Sequence, residues 1–207
     1  MDCDMMKKLF SRWADIMIHN KDYLTDLDSV AGDGDLGIVL CDGFTAVVEA
    51  VAASEETDLG KLCYLAGKTL SRTAPSSMGT LIASGLMNAG KRLRGKTVLD
   101  ASGIACMLES IAEGVIDVGG AKEGEKTFLD AFLPAVRAMR ESGETELKAL
   151  TSAAAAAAEK GFQNATSMIA RHGRIAFRGE NSKGIADPGA AAAMLMIRGL
   201  EDVYNKL

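Results

Sequence analysis

The stretch LKALTSAAAAAAEKGFQNATSM, residues 147–168, indicates the fold class of this chain more directly than any other stretch. Its six consecutive alanines, residues 153–158, combine the highest helix propensity with a side chain small enough for neighbouring helices to approach closely. Low complexity is the alternative interpretation of such a run. The apolar residues Leu150 and Phe162, which lie on either side of it, favour a packed helix.

Helical spacing of apolar residues recurs along the rest of the chain, and the alternation that is typical of strands is nearly absent. We therefore predict an all-α fold in a single domain over residues 1–207, because this is a usual length for one domain. Eight helices are expected, over approximately residues 3–20, 37–52, 58–72, 77–93, 100–117, 127–141, 144–171 and 188–205.

The connections between the predicted helices are of two kinds. Those after the second, fourth and sixth helices are short and ordinary, the last of them covering residues 141–143. Those after the other helices are rich in Gly, Ser, Asp and Pro and cover residues 23–36, 72–76, 118–126 and 172–187. Alternate connections of an up-and-down bundle lie at the same end. We therefore predict an antiparallel eight-helix bundle with one composite ligand site at one end.

The first of the four rich loops contains LDSVAGDGDLG, residues 27–37, which places Asp28, Asp33 and Asp35 close together. Two carboxylates 4 Å apart repel by about 4 kcal/mol at an effective dielectric near 20. A divalent cation relieves that repulsion, and carboxylate ligands favour hard ions such as magnesium or calcium. The alternative is a solvated acidic turn in which Asp35 caps the next helix. An EF-hand is a poor match, because Phe44 stands where that loop requires a glutamate.

The second and third loops are suited to a ligand that approaches the backbone. Ser76, Ser77 and Gly79 at a predicted helix start would offer backbone N–H groups to phosphate oxygens. Plain capping of the helix by a serine is an equally good interpretation of these residues. The glycines of residues 119–124 would admit a ligand, or belong to a flexible connector.

The fourth loop contains two arginines and ends in a helix start. Arg174 and Arg178 suit a phosphate or the plane of a base, and exposed surface arginines are the alternative. Asp187 is a natural N-cap residue and Pro188 is a natural first helical residue, which is a structural role by default.

The sequence GKRLRGKT, residues 90–97, matches the P-loop pattern G-x-x-x-x-G-K-[ST] in full. That pattern binds phosphate where it follows a β-strand and opens a helix. Here the preceding residues 81–89 have helical spacing, so we interpret Gly90 and Gly95 as helix-ending glycines beside a basic loop. A P-loop would make Lys96 essential, whereas we expect almost no effect of Lys96→Ala.

The composition argues against several other classes of protein. The net charge of −5 does not favour a nucleic-acid-binding surface. The four cysteines are scattered without a CxxC motif, and two histidines are too few for a histidine-rich metal site. No signal peptide and no apolar run of about 18 residues occur, so we expect a cytoplasmic protein without membrane association.

Together these loops resemble the L-subunit, or L-domain, of dihydroxyacetone kinases. The resemblance covers nearly the whole chain, and the spacing between the matching blocks makes it specific. The blocks are YLTDLD at 23–28, GDGD at 32–35, GF at 43–44, Gly79, KT at 126–127, GR at 173–174, GE at 179–180 and DPGA at 187–190.

The resemblance implies an eight-helix antiparallel barrel and a phosphotransferase subunit whose acceptor is an alcohol group. Magnesium, expected as two ions, is held by Asp28, Asp33 and Asp35 and bridges to the phosphates of ADP or ATP. No catalytic side chain is assigned. With Ser76 and Gly79 added from the second loop, the candidate nucleotide site comprises Leu36, Gly37, Ile38, Val39, Ser76, Ser77, Met78, Gly79, Gly119, Phe128, Arg174, Asp187, Pro188 and Gly189.

The resemblance also implies partners. The ketose is held by a separate K-subunit, and a phosphocarrier of the phosphotransferase system (an M-subunit) or ATP supplies the phosphoryl group. Two positions depart from the family pattern: Leu36 stands where a histidine is usual, and residues 75–79 read PSSMG where GGASG is usual. These departures favour the alternative function of a non-catalytic regulatory module that binds magnesium and nucleotide.

Overall fold

The protein is seen in a computed structural model that describes residues 1–30, 32–142, 144 and 146–205. Over these ranges the chain forms nine α-helices, one 3-10 segment and no β-strand, which confirms the all-α prediction. The helices are α1 (Cys3–His19), α2 (Lys21–Ser29), α3 (Leu36–Ala52), α4 (Leu59–Thr73), α5 (Ser77–Arg92), α6 (Ala101–Gly119), α7 (Leu129–Glu141), α8 (Leu147–Ala165) and α9 (Pro188–Asn205), and the 3-10 segment is Arg174–Ser182.

The start of the first rich loop, predicted to be irregular from residue 23, is helical instead. Asn20 ends α1, since its backbone and side-chain N–H groups both donate to the Ile16 carbonyl. The chain then starts α2 at once, because Leu24 is fully buried there and Leu24 N donates to the Asn20 carbonyl. Of the described residues of this loop, only those from Val30 to Asp35 lie outside helices.

The predicted seventh helix, 144–171, is shorter than expected at both ends. It runs from Leu147 to Ala165, because the Lys126 ammonium binds the carbonyls of Ala165 and Thr166 and the chain turns away. The predicted connection at 141–143 includes Gly143, which lies outside the described residues.

The eight long helices form a closed antiparallel ring in chain order. Each packs on the next, α9 returns to α1, and the short α2 packs on α3. Trp13 Nε1 donates to the Met196 carbonyl at 2.7 Å across the closing contact. Asn88 Nδ2 donates to the Ser110 carbonyl at 2.8 Å across α5 and α6. The connections therefore alternate between the two ends of the ring.

Glycines set the spacing of α4, α5 and α6. A Cβ atom at Gly114 would lie 2.7 Å from the Ser84 carbonyl oxygen, and one at Gly60 would lie 2.5 Å from the Gly90 carbonyl oxygen. The interior is filled by apolar side chains, with the rings of Phe10 and Trp13 packed edge to face at 5.6 Å. Each helix within the described ranges is too short or too polar to span a bilayer.

Candidate functional site

A cleft with a volume of about 1060 Å³ opens at the end of the ring where α3, α5, α7 and α9 begin. Its lining comes from parts of four segments, residues 28–36, 71–81, 115–129 and 172–189. Each of these segments overlaps one of the four loops that are rich in Gly, Ser, Asp and Pro. Lining residues from the described connections at the opposite end are absent. The four loops therefore share one end of the ring, as the alternation of the helices predicted.

The three aspartates of the first loop converge on one point of this cleft. Carboxylate oxygens of Asp28, Asp33 and Asp35 all lie within 4.8 Å of one another. The donor set consists of carboxylate oxygens alone, and this chemistry suits Mg²⁺ or Ca²⁺.

The local fold of the loop explains this convergence. Asp28 lies on the last turn of α2, and its Oδ2 accepts hydrogen bonds from the N–H groups of Asp35 at 3.1 Å and Leu36 at 3.4 Å. Gly32 passes so close to the Asp28 carboxylate that no side chain would fit there, and Gly34 has a φ of +72°. Only glycine adopts such a conformation readily.

Asp35 is a half-buried member of the three-aspartate cluster. Burial raises its pKa, the nearby Asp33 and Asp28 carboxylates raise it further, and Arg174 opposes them. Asp35 occupies the N-cap position of α3, but its side chain makes no capping hydrogen bond. The alternative that Asp35 serves as a simple cap is therefore wrong, and its carboxylate is available to a cation.

Three helix N-termini face the same cleft as the aspartates. α3 starts directly after Asp35, and α5 starts after Ser76, whose Oγ accepts from Gly79 N at 3.0 Å. α9 starts after Asp187, whose Oδ1 accepts from Ala190 N at 2.7 Å. Helix N-termini carry partial positive charge and free N–H groups, which favour anions. The cleft therefore offers adjoining sites for a cation and for phosphate oxygens.

The remaining walls of the cleft are largely apolar. Phe128 is buried and stacks on Phe132 with a ring separation of 4.9 Å. A flat, weakly polar group such as a nucleobase suits such walls. Other apolar lining side chains include Met78, Leu81, Val115, Val118, Leu129 and Ile175.

The 3-10 segment Arg174–Ser182 is held against the first loop by hydrogen bonds from its two arginines. Arg174 Nη2 donates to Asp33 Oδ2 at 2.6 Å, and Arg178 donates to the Val30 carbonyl. Arg174 therefore lines the cleft, whereas Arg178 contacts the first loop from outside the cleft lining.

Most of the predicted ligand residues line the cleft, and four do not. The lining members are Asp28, Asp33, Asp35, Leu36, Ser76, Ser77, Met78, Gly119, Phe128, Arg174, Asp187, Pro188 and Gly189. Outside the lining lie Gly37, Ile38, Val39 and Gly79. Gly37 packs against the Lys21 carbonyl and Gly79 against Ala74, so these two glycines allow close approach of neighbouring backbone.

The P-loop match at residues 90–97 has neither the structure nor the position of a P-loop. It follows the body of α5 and lies at the end of the ring opposite the cleft. Gly95 follows the helix with a φ of +84°, as predicted. Gly90 does not end the helix; it lies inside α5, where a side chain would collide with Tyr64 and the Gly60 carbonyl.

Several polar residues beside the cleft were not among the predicted site residues, and three of them are titratable: Lys126, Asp130 and His172. Lys126 is buried, although it lines the cleft, and Asp130 is buried beneath the third loop. His172 also lines the cleft and binds Glu125 at 2.7 Å. The only sequence signal for Lys126 was its place in KT, residues 126–127, one of the short blocks that carry the family resemblance.

Comparisons with known proteins find relatives over most of the length of this chain. The family model of the DAK2 domain matches residues 30–202. "PEP-dependent dihydroxyacetone kinase, ADP-binding subunit DhaL" of Escherichia coli (strain K12) is 34% identical over 91% of this chain and 90% of its own length. "D-erythrulose kinase" of Mycolicibacterium smegmatis is 30% identical over 96% of this chain, which is only 35% of that longer protein.

A solved structure has the same fold. The dihydroxyacetone kinase from C. freundii, in complex with AMP-PNP and Mg²⁺, superimposes with a TM-score of 0.70 and 22% identity. The match covers 97% of this chain and 33% of the kinase chain. The chain thus spans about a third of that kinase.

Proposed function

The chain belongs to the DAK2 domain family, and from that premise we propose that it is the nucleotide-binding subunit of a dihydroxyacetone-type ketose kinase. In this proposal it works as one domain in the cytoplasm and holds ADP or ATP with magnesium. The phosphoryl group passes to an alcohol group of a ketose that a separate K-subunit holds.

The observation that carries the proposal is the combination of three converging aspartates with three helix N-termini in one cleft. The aspartates suit a divalent cation, and the helix starts suit phosphate oxygens. A magnesium-bound nucleotide requires both at once. The E. coli relative is named as an ADP-binding subunit and has nearly the same extent, which supports this assignment.

We assign Asp28, Asp33 and Asp35 to magnesium, expected as two ions. Bound there, magnesium would supply the positive charge that neutralises the phosphates. The starts of α5 and α9, with Arg174, orient the phosphates, and the apolar wall beside Phe128 receives the base. Phosphoryl transfer depends mainly on positioning and electrostatics, so we assign no acid–base side chain to this chain.

The K-subunit is proposed as the partner because the E. coli relative, which matches this chain over 90% of its own length, is named as one subunit of a kinase. The M. smegmatis erythrulose kinase and the C. freundii kinase are about three times as long as their match to this chain. We propose that, for this chain, a separate K-subunit binds the ketose, in place of the additional sequence of the longer kinases.

We propose a phosphocarrier of the phosphotransferase system, the M-subunit, as the phosphoryl donor, because the E. coli relative is named PEP-dependent. ATP is the alternative donor. The mass of the ligand that copurifies with native protein separates the two. Tightly retained ADP supports the phosphocarrier, whereas a nucleotide-free protein that needs added ATP supports the alternative.

The test of nucleotide binding uses Asp33→Asn and Asp35→Asn, with ADP titrated by calorimetry in the presence and absence of magnesium. We expect both variants to lose magnesium-dependent ADP binding and to keep their helical circular dichroism. Asp26→Asn is the matched control, because Asp26 lies on the exposed face of α2, outside the three-aspartate cluster. Unchanged ADP affinity in the Asp33 and Asp35 variants would refute the proposal.

A non-catalytic regulatory module is the second candidate, and two apolar residues favour it. Leu36 is buried at the start of α3, where the family usually has a histidine. Met78 packs so closely on Gly189 that a side chain there would lie 2.6 Å from its Cε. Phosphoryl transfer to dihydroxyacetone, measured with a matching K-subunit, separates the two candidates. Binding of magnesium and ADP without any transfer supports the regulatory module.

A further inference from the structure

Lys126 is a buried lysine that has no role in the proposed function as stated above. It is 1% exposed, and it has a φ of +62°, the only positive value for a non-glycine residue within the described ranges. The left-handed conformation is strained for a residue that carries a side chain. Strained residues persist only where their surroundings determine them, and they concentrate at functional sites.

The surroundings of Lys126 are the last carbonyls of α8. Its Nζ donates to the carbonyl oxygens of Ala165 at 3.0 Å, Thr166 at 3.0 Å and Met168 at 3.3 Å. The final carbonyls of a helix lack partners inside the helix and carry partial negative charge. A buried ammonium without partners would be costly, and these three acceptors compensate for its lost hydration.

This contact joins the third loop to the chain segment that leads from the end of α8 into the fourth loop. Thr127 and Phe128, which follow Lys126 directly, belong to the cleft wall. Thr166 and Met168 begin the chain segment that leads to Arg174 at the cleft mouth. The position of the Lys126 ammonium therefore fixes the distance between these two walls.

Glu125, the neighbour of Lys126, also connects the third loop to the segment after α8, but its contacts lie nearer the surface. Its carbonyl accepts a hydrogen bond from Arg171 N at 3.1 Å, and its Oε2 contacts His172 Nε2 at 2.7 Å. Within this set of contacts, Lys126 is the buried charged side chain.

The charge of Lys126 also acts on the third wall of the cleft. It favours the ionised form of Asp187 and so opposes the effect of burial, which raises the pKa of that carboxyl. Asp187 caps α9, whose first residues Pro188 and Gly189 line the cleft.

We propose that Lys126 is a positioning residue for the nucleotide. By holding the end of α8, it sets the third and fourth loops at the separation that the magnesium-bound nucleotide requires, without touching the nucleotide itself. This inference rests on the proposed function and deepens it.

The test compares ADP affinity, measured by calorimetry with saturating magnesium, in wild type, Lys126→Met, Lys126→Arg and Lys122→Met. Lys122 is an exposed lysine of the same loop and serves as the matched control. We expect Lys126→Met to weaken ADP binding at least about tenfold, as losses of supporting contacts around metal sites do. The guanidinium group that Lys126→Arg introduces can still donate to the carbonyls, so this variant should recover most of the affinity.

A merely structural role predicts another result: Lys126→Met would unfold at a lower temperature, but the folded protein would bind ADP with wild-type affinity. That result overturns the inference. If the wild type itself binds no ADP with magnesium, the proposed function fails instead, so the two failures are distinguishable.

A measurement on the wild type covers the case in which Lys126→Met does not fold. Residues 166–171 lie outside the cleft lining and are connected to it through the contacts of Lys126 and Glu125. We expect magnesium and ADP to slow hydrogen exchange of their amides. Unchanged exchange there, with slowed exchange at residues 76–79, overturns the inference.

Discussion

At the scale of the residue, Asp187 combines an essential contact with an unfavourable environment. Its Oδ1 caps α9, and its side chain is buried between Lys126, which favours the charged form, and Asp130, which opposes it. Burial is the largest effect and raises its pKa from 3.8 to about 7. When Asp187 ionises in the folded chain near neutral pH, its buried charge lowers the stability of the fold. The same side chain stabilises α9 as its N-cap.

The sign of the pH dependence follows from this shift. Between pH 3.8 and about 7 the folded chain retains a proton on Asp187 that the unfolded chain has lost. The free energy of unfolding therefore falls as pH rises through this range, by up to about 1.4 kcal/mol per pH unit.

We predict that Asp187→Asn is more stable than wild type at pH 8 and no more stable below pH 4. Asparagine retains an oxygen that caps the helix and carries no charge. Urea unfolding at both pH values measures the difference. Asp100→Asn, at the exposed N-cap of α6, is the control and should give no stabilisation at pH 8. A stability difference for Asp187→Asn that does not change with pH would contradict the assigned cause.

Residue-level prediction from sequence succeeded where the interacting residues are close in the chain. Asp28, Asp33 and Asp35 lie within eight residues, so two glycines suffice to bring them together. Lys126 could not be assigned this way, because its acceptors lie about 40 residues away and become neighbours only when α7 packs on α8.

At the scale of the element, the starts of helices capped by an aspartate were predicted to within one residue, whereas the end of α8 was predicted six residues too late. α4, α6 and α9 begin beside the aspartates that cap them, as capping preferences indicate. The end of α8 depends on a lysine from another segment, and α2 was missed because two helices meet at Asn20 without a loop.

The P-loop match gives a prediction at this scale. Lys96→Ala should leave the ADP affinity unchanged, because residues 90–97 lie at the opposite end of the ring from the three-aspartate cluster. Arg174→Ala is the positive control, since Arg174 contacts Asp33, and should weaken ADP binding. Calorimetry with magnesium present compares the two variants, and a tenfold loss in Lys96→Ala would contradict our assignment of the site.

At the scale of the whole molecule, the alternation of loops along the chain was enough to predict a common end for the site. The closure of the ring between α1 and α9 was not predictable from spacing alone, because it depends on contacts such as Trp13 with Met196 at opposite ends of the sequence.

The open end of the ring also determines how a partner has to approach. In the proposed function, a ketose held by another subunit reaches the phosphates across the mouth of the cleft, where Arg174 contacts Asp33. Phe177 lies on the 3-10 segment three residues after Arg174, outside the cleft lining, and is 94% exposed. An exposed aromatic side chain at such a position can become an anchor of an interface.

We therefore predict that Phe177→Ser raises the K-subunit concentration needed for half-maximal phosphoryl transfer by about tenfold, a usual effect of truncating an interface anchor. The ADP affinity and the stability of the free chain should not change, because Phe177 packs against little in the free chain. Val98→Ser is the matched control, since Val98 is 65% exposed at the opposite end of the ring. Equal effects of the two substitutions would show that the partner does not approach across the cleft mouth.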